Sequence, residues 1–215
     1  METQKLPPDW QNIDYLFNIV LVGEPGVGKT CFFTQFAKSR FNMVYEPTIG
    51  IDFSIKYIII EESMVKLTVW DLSGLPQFRS LGQSYLRGAR GVLLCYDVTN
   101  RISFENLDTH IKLIKDHSFY EPRIMLIGNK CDLEESRTVT KQEGLDFANK
   151  NNFLFMETSA LDTTNIELAF LILAKKVYDQ EKGSEKEKPS QNSSSKVEKE
   201  AKKINCFWRW LCLIP

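Results

Sequence analysis

The residues Gly23-Glu24-Pro25-Gly26-Val27-Gly28-Lys29-Thr30 have the pattern G-x-x-x-x-G-K-[ST]. Glycines at these positions let backbone N–H groups turn inward around phosphate oxygens, with Gly26 and Val27 contributing to the same cradle. Lys29 reaches the outer phosphates, and the Thr30 hydroxyl is a ligand for Mg2+. In a chain of ordinary glycine content, this pattern arises by chance in roughly one case in a hundred. The chemistry is nucleoside triphosphate binding. Asp71-Leu72-Ser73-Gly74 adds a carboxylate able to hold Mg2+ through water and a glycine whose N–H can meet a γ-phosphate, and Thr48 offers a second hydroxyl to the metal. Lys29, Thr48 and Gly74 are therefore the candidates for acting on the terminal phosphate, and Thr30, Thr48 and Asp71 for holding the metal.

A second group of residues selects a base. In Asn129-Lys130-Cys131-Asp132, the Asp132 carboxylate can accept from both N1–H and the 2-amino group of guanine, a donor pair that adenine lacks. In Thr158-Ser159-Ala160, a backbone N–H near Ala160 suits guanine O6. Alone, N-K-x-D is also an ordinary polar loop after a strand; joined to the phosphate cradle at this distance it points to GTP and GDP.

These loops need a scaffold that gathers them. Leu16–Val22 reads as a buried strand running into the phosphate loop, and Cys31 to Ser39, free of Gly and Pro, reads as a helix. Ile51–Tyr57, running on into Ile58-Ile59-Ile60, and Val65–Trp70 alternate in polarity around a turn at Glu61-Glu62-Ser63-Met64, which predicts a hairpin that delivers Asp71 at its end. A loop from Leu72 to Ser84 then leads into a short helix. Gly91–Asp97 and Arg123–Gly128 are nearly continuous apolar runs, as expected of strands covered on both faces. Helical spacing predicts helices over Ile102–Ser118, Thr140–Lys150 and Asn165–Asp179, with Phe153–Met156 as the last strand. The fold class is α/β, a P-loop NTPase arrangement with a mostly parallel six-stranded sheet, helices on both faces and loops gathered at the carboxyl ends of the strands.

The 215 residues, 43% hydrophobic, can bury one core. The chain divides into a flexible arm over 1–14, a domain over 15–182, a Lys/Glu/Ser-rich tether over 183–205 and an aromatic, cysteine-containing tail over 206–215. The formal charge of −1 gives no electrostatic footprint for nucleic acid. Cys31, Cys95 and Cys131 form no disulfide or zinc spacing, which suits reduced thiols in the cytosol. Glu2 excludes N-myristoylation, and no apolar run is long enough to span a bilayer. Cys212-Leu213-Ile214-Pro215 has the C-a-a-X layout of a prenylation signal, although Pro215 departs from the usual last residue. Cys206 offers a second lipid site, and the competing possibility is an unmodified aromatic peptide lying in the membrane interface. Residues 183–205 carry six Lys and four Glu, so electrostatic attraction to anionic lipid is weak. His110 and His117 read as solvated or packing residues without a carboxylate partner.

With these motifs in order, the chain resembles a Ras-superfamily small GTPase of the Rab family over about Phe17 to Asp179. Thr48-Ile49-Gly50-Ile51-Asp52-Phe53, Lys66-Leu67-Thr68-Val69-Trp70-Asp71, Tyr85-Leu86-Arg87-Gly88-Ala89 and Tyr96-Asp97-Val98-Thr99 are similar to Rab signatures. The resemblance implies a GTP/GDP switch with Mg2+ in vesicle traffic, peripheral on the cytosolic face of a membrane and served by effectors, an exchange factor and an activating protein. It implies that Phe41 lies edge-on or stacked at the guanine, that Cys31 and Ser159 border the nucleotide, and that Phe53, Trp70 and Tyr85 form the surface effectors read, with core packing the alternative for all three and as well suited to Phe53 as exposure. Two positions depart from the family pattern. Leu75, followed by Pro76, stands where a glutamine usually orients the attacking water, with Gln77 misplaced to substitute, and Pro25 stiffens the phosphate loop. Slow intrinsic hydrolysis is the expectation, and a constitutively GTP-bound effector-binding module the alternative. A P-loop kinase or ATPase is disfavoured by the base motif and by the lack of an acceptor-binding insertion.

Overall fold

The computed structural model describes residues 13–39, 50–74 and 79–186. The arm up to residue 12, Phe41, Thr48, Leu75-Pro76-Gln77 and the cysteines Cys206 and Cys212 lie outside that set. Six strands form one sheet in the order β2-β3-β1-β4-β5-β6, built from β1 Tyr15–Val22, β2 Ile51–Ile60, β3 Ser63–Leu72, β4 Gly91–Asp97, β5 Arg123–Asn129 and β6 Leu154–Thr158. Every pairing is parallel except β2 with β3. Among the described residues the α-helices between and after the strands are α1 Lys29–Lys38, α2 Arg79–Leu86, α3 Arg101–Glu105, α4 Leu107–His117, α5 Lys141–Asn151 and α6 Ile166–Lys186.

The period of two along β1 sends alternate side chains into two different cores. Ile19 and Leu21 join the cluster under α1 and α6, where the Phe36 and Phe170 rings stack with centroids 3.7 Å apart. Val20 and Val22 join the cluster under α2, α4 and α5 with Leu94, Leu107, Ile111 and Leu126. All seven residues of β4 are buried, the pattern of a parallel strand with helices on both faces.

Local chemistry explains several boundaries. The hairpin turn is only Glu61-Glu62, because Ser63 and Met64 already pair in β3. Glu61 adopts φ 57, unfavourable for a residue with a Cβ, and its carboxylate is held by Lys175 and Lys182 of α6. Thr140 caps α5 in a reciprocal box with Glu143, one residue before the helix proper. The final helix does not stop at Asp179. It continues through Gly183 to Lys186, four residues into the stretch expected to begin the tether, with Ser184 Oγ bonded to the Gln180 carbonyl and Gln180 to the Glu121 carbonyl.

The single helix expected over Ile102–Ser118 is two helices. Asn106 separates them: its carbonyl accepts from Thr109 and His110, but its side chain makes no cap to its own helix and turns instead to the phosphate loop. The apolar spacing carries on through the break, which is why periodicity alone does not reveal it.

Candidate functional site

The carboxyl ends of the parallel strands place the sequence motifs on one ledge, at the point where chain order reverses on either side of β1. Gly23 to Gly28 links β1 to α1, Asp71 is the next-to-last residue of β3, Asn129 ends β5 and Thr158 ends β6. Gly26 and Gly28 have φ 80 and 88, the left-handed region that favours glycine. A Cβ on Gly28 would lie 2.4 Å from Asn129 Nδ2, so the absence of a side chain there is what lets the phosphate and base loops approach.

Two hydrogen bonds stitch those loops together. Asn129 Nδ2 donates to the Val27 carbonyl at 2.8 Å, and Lys130 Nζ donates to the Gly26 carbonyl at 2.9 Å while pairing with Asp97 at 2.6 Å. On the base side, Thr158 Oγ1 donates to Asn129 Oδ1, the Cys131 N–H donates to the Thr158 carbonyl, and Ser159 Oγ accepts from the N–H groups of Leu161 and Asp162. Ala160 is buried beside this turn, whereas Asp132 is half-exposed on the open side. Cys31 is half-buried in the first turn of α1, its thiol pushed up by burial.

The phosphate end is arranged differently. Lys29 is buried, its ammonium pKa lowered by desolvation, and Nζ donates to the Gly23 and Glu24 carbonyls at 2.8 and 2.7 Å. Thr30 Oγ1 donates to Asp71 Oδ2 at 2.7 Å, and burial pushes the Asp71 carboxyl up to about 6. Asp71 Oδ1 is buried with no hydrogen-bond partner. A buried carboxylate oxygen left without a donor, beside a hydroxyl and at the mouth of a phosphate loop, fits a hard divalent cation with its water shell. Gly74 packs so closely that a Cβ there would be 2.7 Å from the Pro25 nitrogen and 2.8 Å from Lys29 Nζ. Thus Lys29, Thr30, Asp71 and Gly74 are brought together at one end of the ledge.

One of the two histidines differs from expectation: His110 has a carboxylate partner, whereas among the described residues His117 does not. His110 is only 7% exposed and its Nε2 lies 3.1 Å from Glu24 Oε1; His117 Nδ1 is 2.9 Å from the Leu113 carbonyl. Nothing in the local pattern signals the first contact, because Glu24 and His110 are 86 residues apart. Away from the ledge, Phe53 is 53% exposed at the sheet edge, settling its alternatives in favour of the surface, and it packs on Trp70, which packs on Tyr85, with centroids 5.1 and 4.5 Å apart.

The comparisons agree with this geometry. The sequence pattern of the Ras family matches residues 18–179. The chain is 38% identical to Ras-related protein Rab-8B of Pongo abelii over 202 residues, covering 93% of this chain and 98% of that relative. Proteins of this kind bind GTP and GDP with Mg2+, the ligands the motifs imply. With the family pattern spanning the whole of the ledge and a Rab relative matching nearly end to end, the chain belongs to the Ras family of small GTPases, in its Rab branch.

Proposed function

We propose that this Rab-like GTPase is a GTP/GDP switch in vesicle traffic that turns over slowly by itself. The observation that carries this reading is the stitch of the Asn129-Lys130 loop to the phosphate loop, which holds the two loops at a set separation suited to one nucleotide. Gly23, Gly26, Val27, Gly28 and Lys29 hold the phosphates. Asn129, Lys130, Asp132, Ser159 and Ala160 hold the guanine, with Cys31 and Phe41 at its border. Thr30, Thr48 and Asp71 hold Mg2+, which when bound neutralises charge developing on the phosphates during transfer. Lys29 leaves the Gly23 and Glu24 carbonyls to meet the triphosphate, and the Gly74 N–H meets its end.

Leu75 cannot accept or donate a hydrogen bond, so it does not align a water for attack. Binding keeps its charges and donors, and the chemical step loses a group acting mainly in the transition state. The same substitution favours the second reading, a module that stays GTP-loaded and is governed by exchange or abundance. Identifying the nucleotide in purified protein, followed by single-turnover hydrolysis with and without an activating protein, separates the two. Comparable affinity for ATP and GTP would defeat both.

The Phe53, Trp70 and Tyr85 surface is the effector contact in this reading. The tail places the protein peripherally on a cytosolic membrane face through Cys206 and Cys212, by lipidation or by its aromatic residues. Unchanged membrane fractionation of Cys206→Ser/Cys212→Ser would remove the lipid route.

A further inference from the structure

Glu24 occupies the second position of the phosphate loop, and both ends of the residue are held. Its carbonyl accepts from Lys29 Nζ at 2.7 Å. Its carboxylate Oε1 accepts from Asn106 Nδ2 at 3.3 Å and lies 3.1 Å from His110 Nε2. For Oε1 to accept from His110 as it does from Asn106, the imidazole nitrogen facing it must carry the hydrogen. The two donors lie one helical turn apart: Asn106 is the break between α3 and α4, and His110 sits one turn further on, within α4. The His110 side chain is 9% exposed and that of Glu24 22%, so the contact is largely shielded from water.

We infer that Asn106 and His110 form a strut that positions the first turn of the phosphate loop through the Glu24 carboxylate, and so determines how firmly the γ-phosphate end of the nucleotide is held. The inference rests on the nucleotide reading above and adds a positioning residue pair to it. The helix break supports it, because Asn106 gives up a cap for its own helix to make the contact. The surroundings support the bias toward the γ-phosphate. Gly74 approaches this loop so closely that a Cβ there would meet the Pro25 nitrogen, Lys29 Nζ and the Glu24 carbonyl carbon within 2.9 Å, so a displacement of Glu24 changes the space beside Gly74 and Lys29. The Val27–Lys130 side, where diphosphate and base are held, is anchored separately by Asn129. Loss of the strut therefore loosens triphosphate more than diphosphate.

The test is the dissociation rate of fluorescent GTP and GDP analogues from the full-length, Mg2+-loaded protein. Glu24→Ala and His110→Phe are each expected to release the GTP analogue roughly tenfold faster, as for loss of a charge-assisted hydrogen bond, and the GDP analogue no more than about threefold faster. The double variant should be no faster than the more affected single, since both remove one contact. His110→Gln, which restores an N–H donor, should release more slowly than His110→Phe. If His110→Phe does not fold, Glu24→Ala and Asn106→Ala carry the test at half-buried or loop positions. Unchanged release, equal acceleration of both nucleotides in step with a fall in Tm, or fully additive single effects would each overturn the strut. Failure of the unaltered protein to retain either nucleotide would instead overturn the site itself.

Discussion

The base side and the phosphate side of the ledge rest on the same sheet, yet their polar groups are left in different conditions. After β5 and β6, Asn129, Thr158 and Lys130 spend their hydrogen bonds on one another, on Asp97 and on the phosphate loop, and the Ser159 hydroxyl on the turn that follows it. After β1 and β3, Asp71 keeps a buried oxygen without a donor and Lys29 is turned back onto loop carbonyls. The first region is built before any ligand arrives; the second is completed by one. That division suits a switch, because the part that distinguishes two phosphate states must be the part whose bonds are exchanged on binding.

The comparison can be broken hardest at the base. Asp132→Asn should lower GTP affinity on the order of 10³-fold, by removing an acceptor for two guanine donors, and turn preference toward xanthine nucleotides; competition binding measures it, and unchanged GTP affinity would place the base elsewhere. Next comes the chemistry on the phosphate side. Leu75→Gln should speed single-turnover hydrolysis by about 10²-fold while leaving GTP affinity unchanged, alone or combined with Pro25→Ser if that loop leaves no room for water. An unaltered protein already as fast as the variant would show that this position does not limit turnover.

Smaller effects sharpen the contrast. Asn129→Ala leaves the buried Val27 carbonyl without its donor and should cost about 2 kcal/mol of stability, weakening GTP and GDP alike; thermal unfolding and binding read the two together. Asp71→Asn goes the other way. Burial already opposes ionisation of this carboxylate, so the neutral amide should raise the Tm of nucleotide- and Mg2+-free protein by about 2 to 4 °C while abolishing the Mg2+ dependence of nucleotide retention. The smallest effect lies in the scaffold of the base side. Arg101, then Thr140, holds the exposed Glu143 carboxylate down to about 2. Its folded value is below the ordinary 4.5, so its contribution is present above that value and fades as pH falls toward 2. Urea unfolding of the unaltered protein and Glu143→Gln between pH 6 and pH 3 should show a small gap that narrows on acidification.

Much of this was legible from residue order. β1, β4 and β5 announce themselves as apolar runs, and the ledge follows from where their polar ends fall. Alternation in Ile51–Tyr57 and Val65–Trp70 reveals the hairpin, though not that two residues suffice to turn it, because the φ of Glu61 depends on lysines of a distant helix. The break at Asn106 is hidden for a related reason: Asn is tolerated within helices, and what draws it out is a carboxylate 82 residues earlier. Gly183 is a reasonable signal for a helix end, yet α6 passes through it, with side chain to backbone bonds on either side. Contacts made across the fold, rather than along the chain, account for each of these differences.

The placement of the ledge on the ends of strands scattered along the whole domain bears on synthesis. The phosphate loop is complete by Thr30, but the residues that close the base side, Thr158 to Ala160, are made some 130 positions later, near the end of the domain. Since chains are made from the amino terminus, a nascent chain carries the cradle long before it carries the selectivity. In the proposed site, guanine nucleotide is captured only once β6 has paired with β5, so retention of nucleotide would report that the last strand of the sheet is in place.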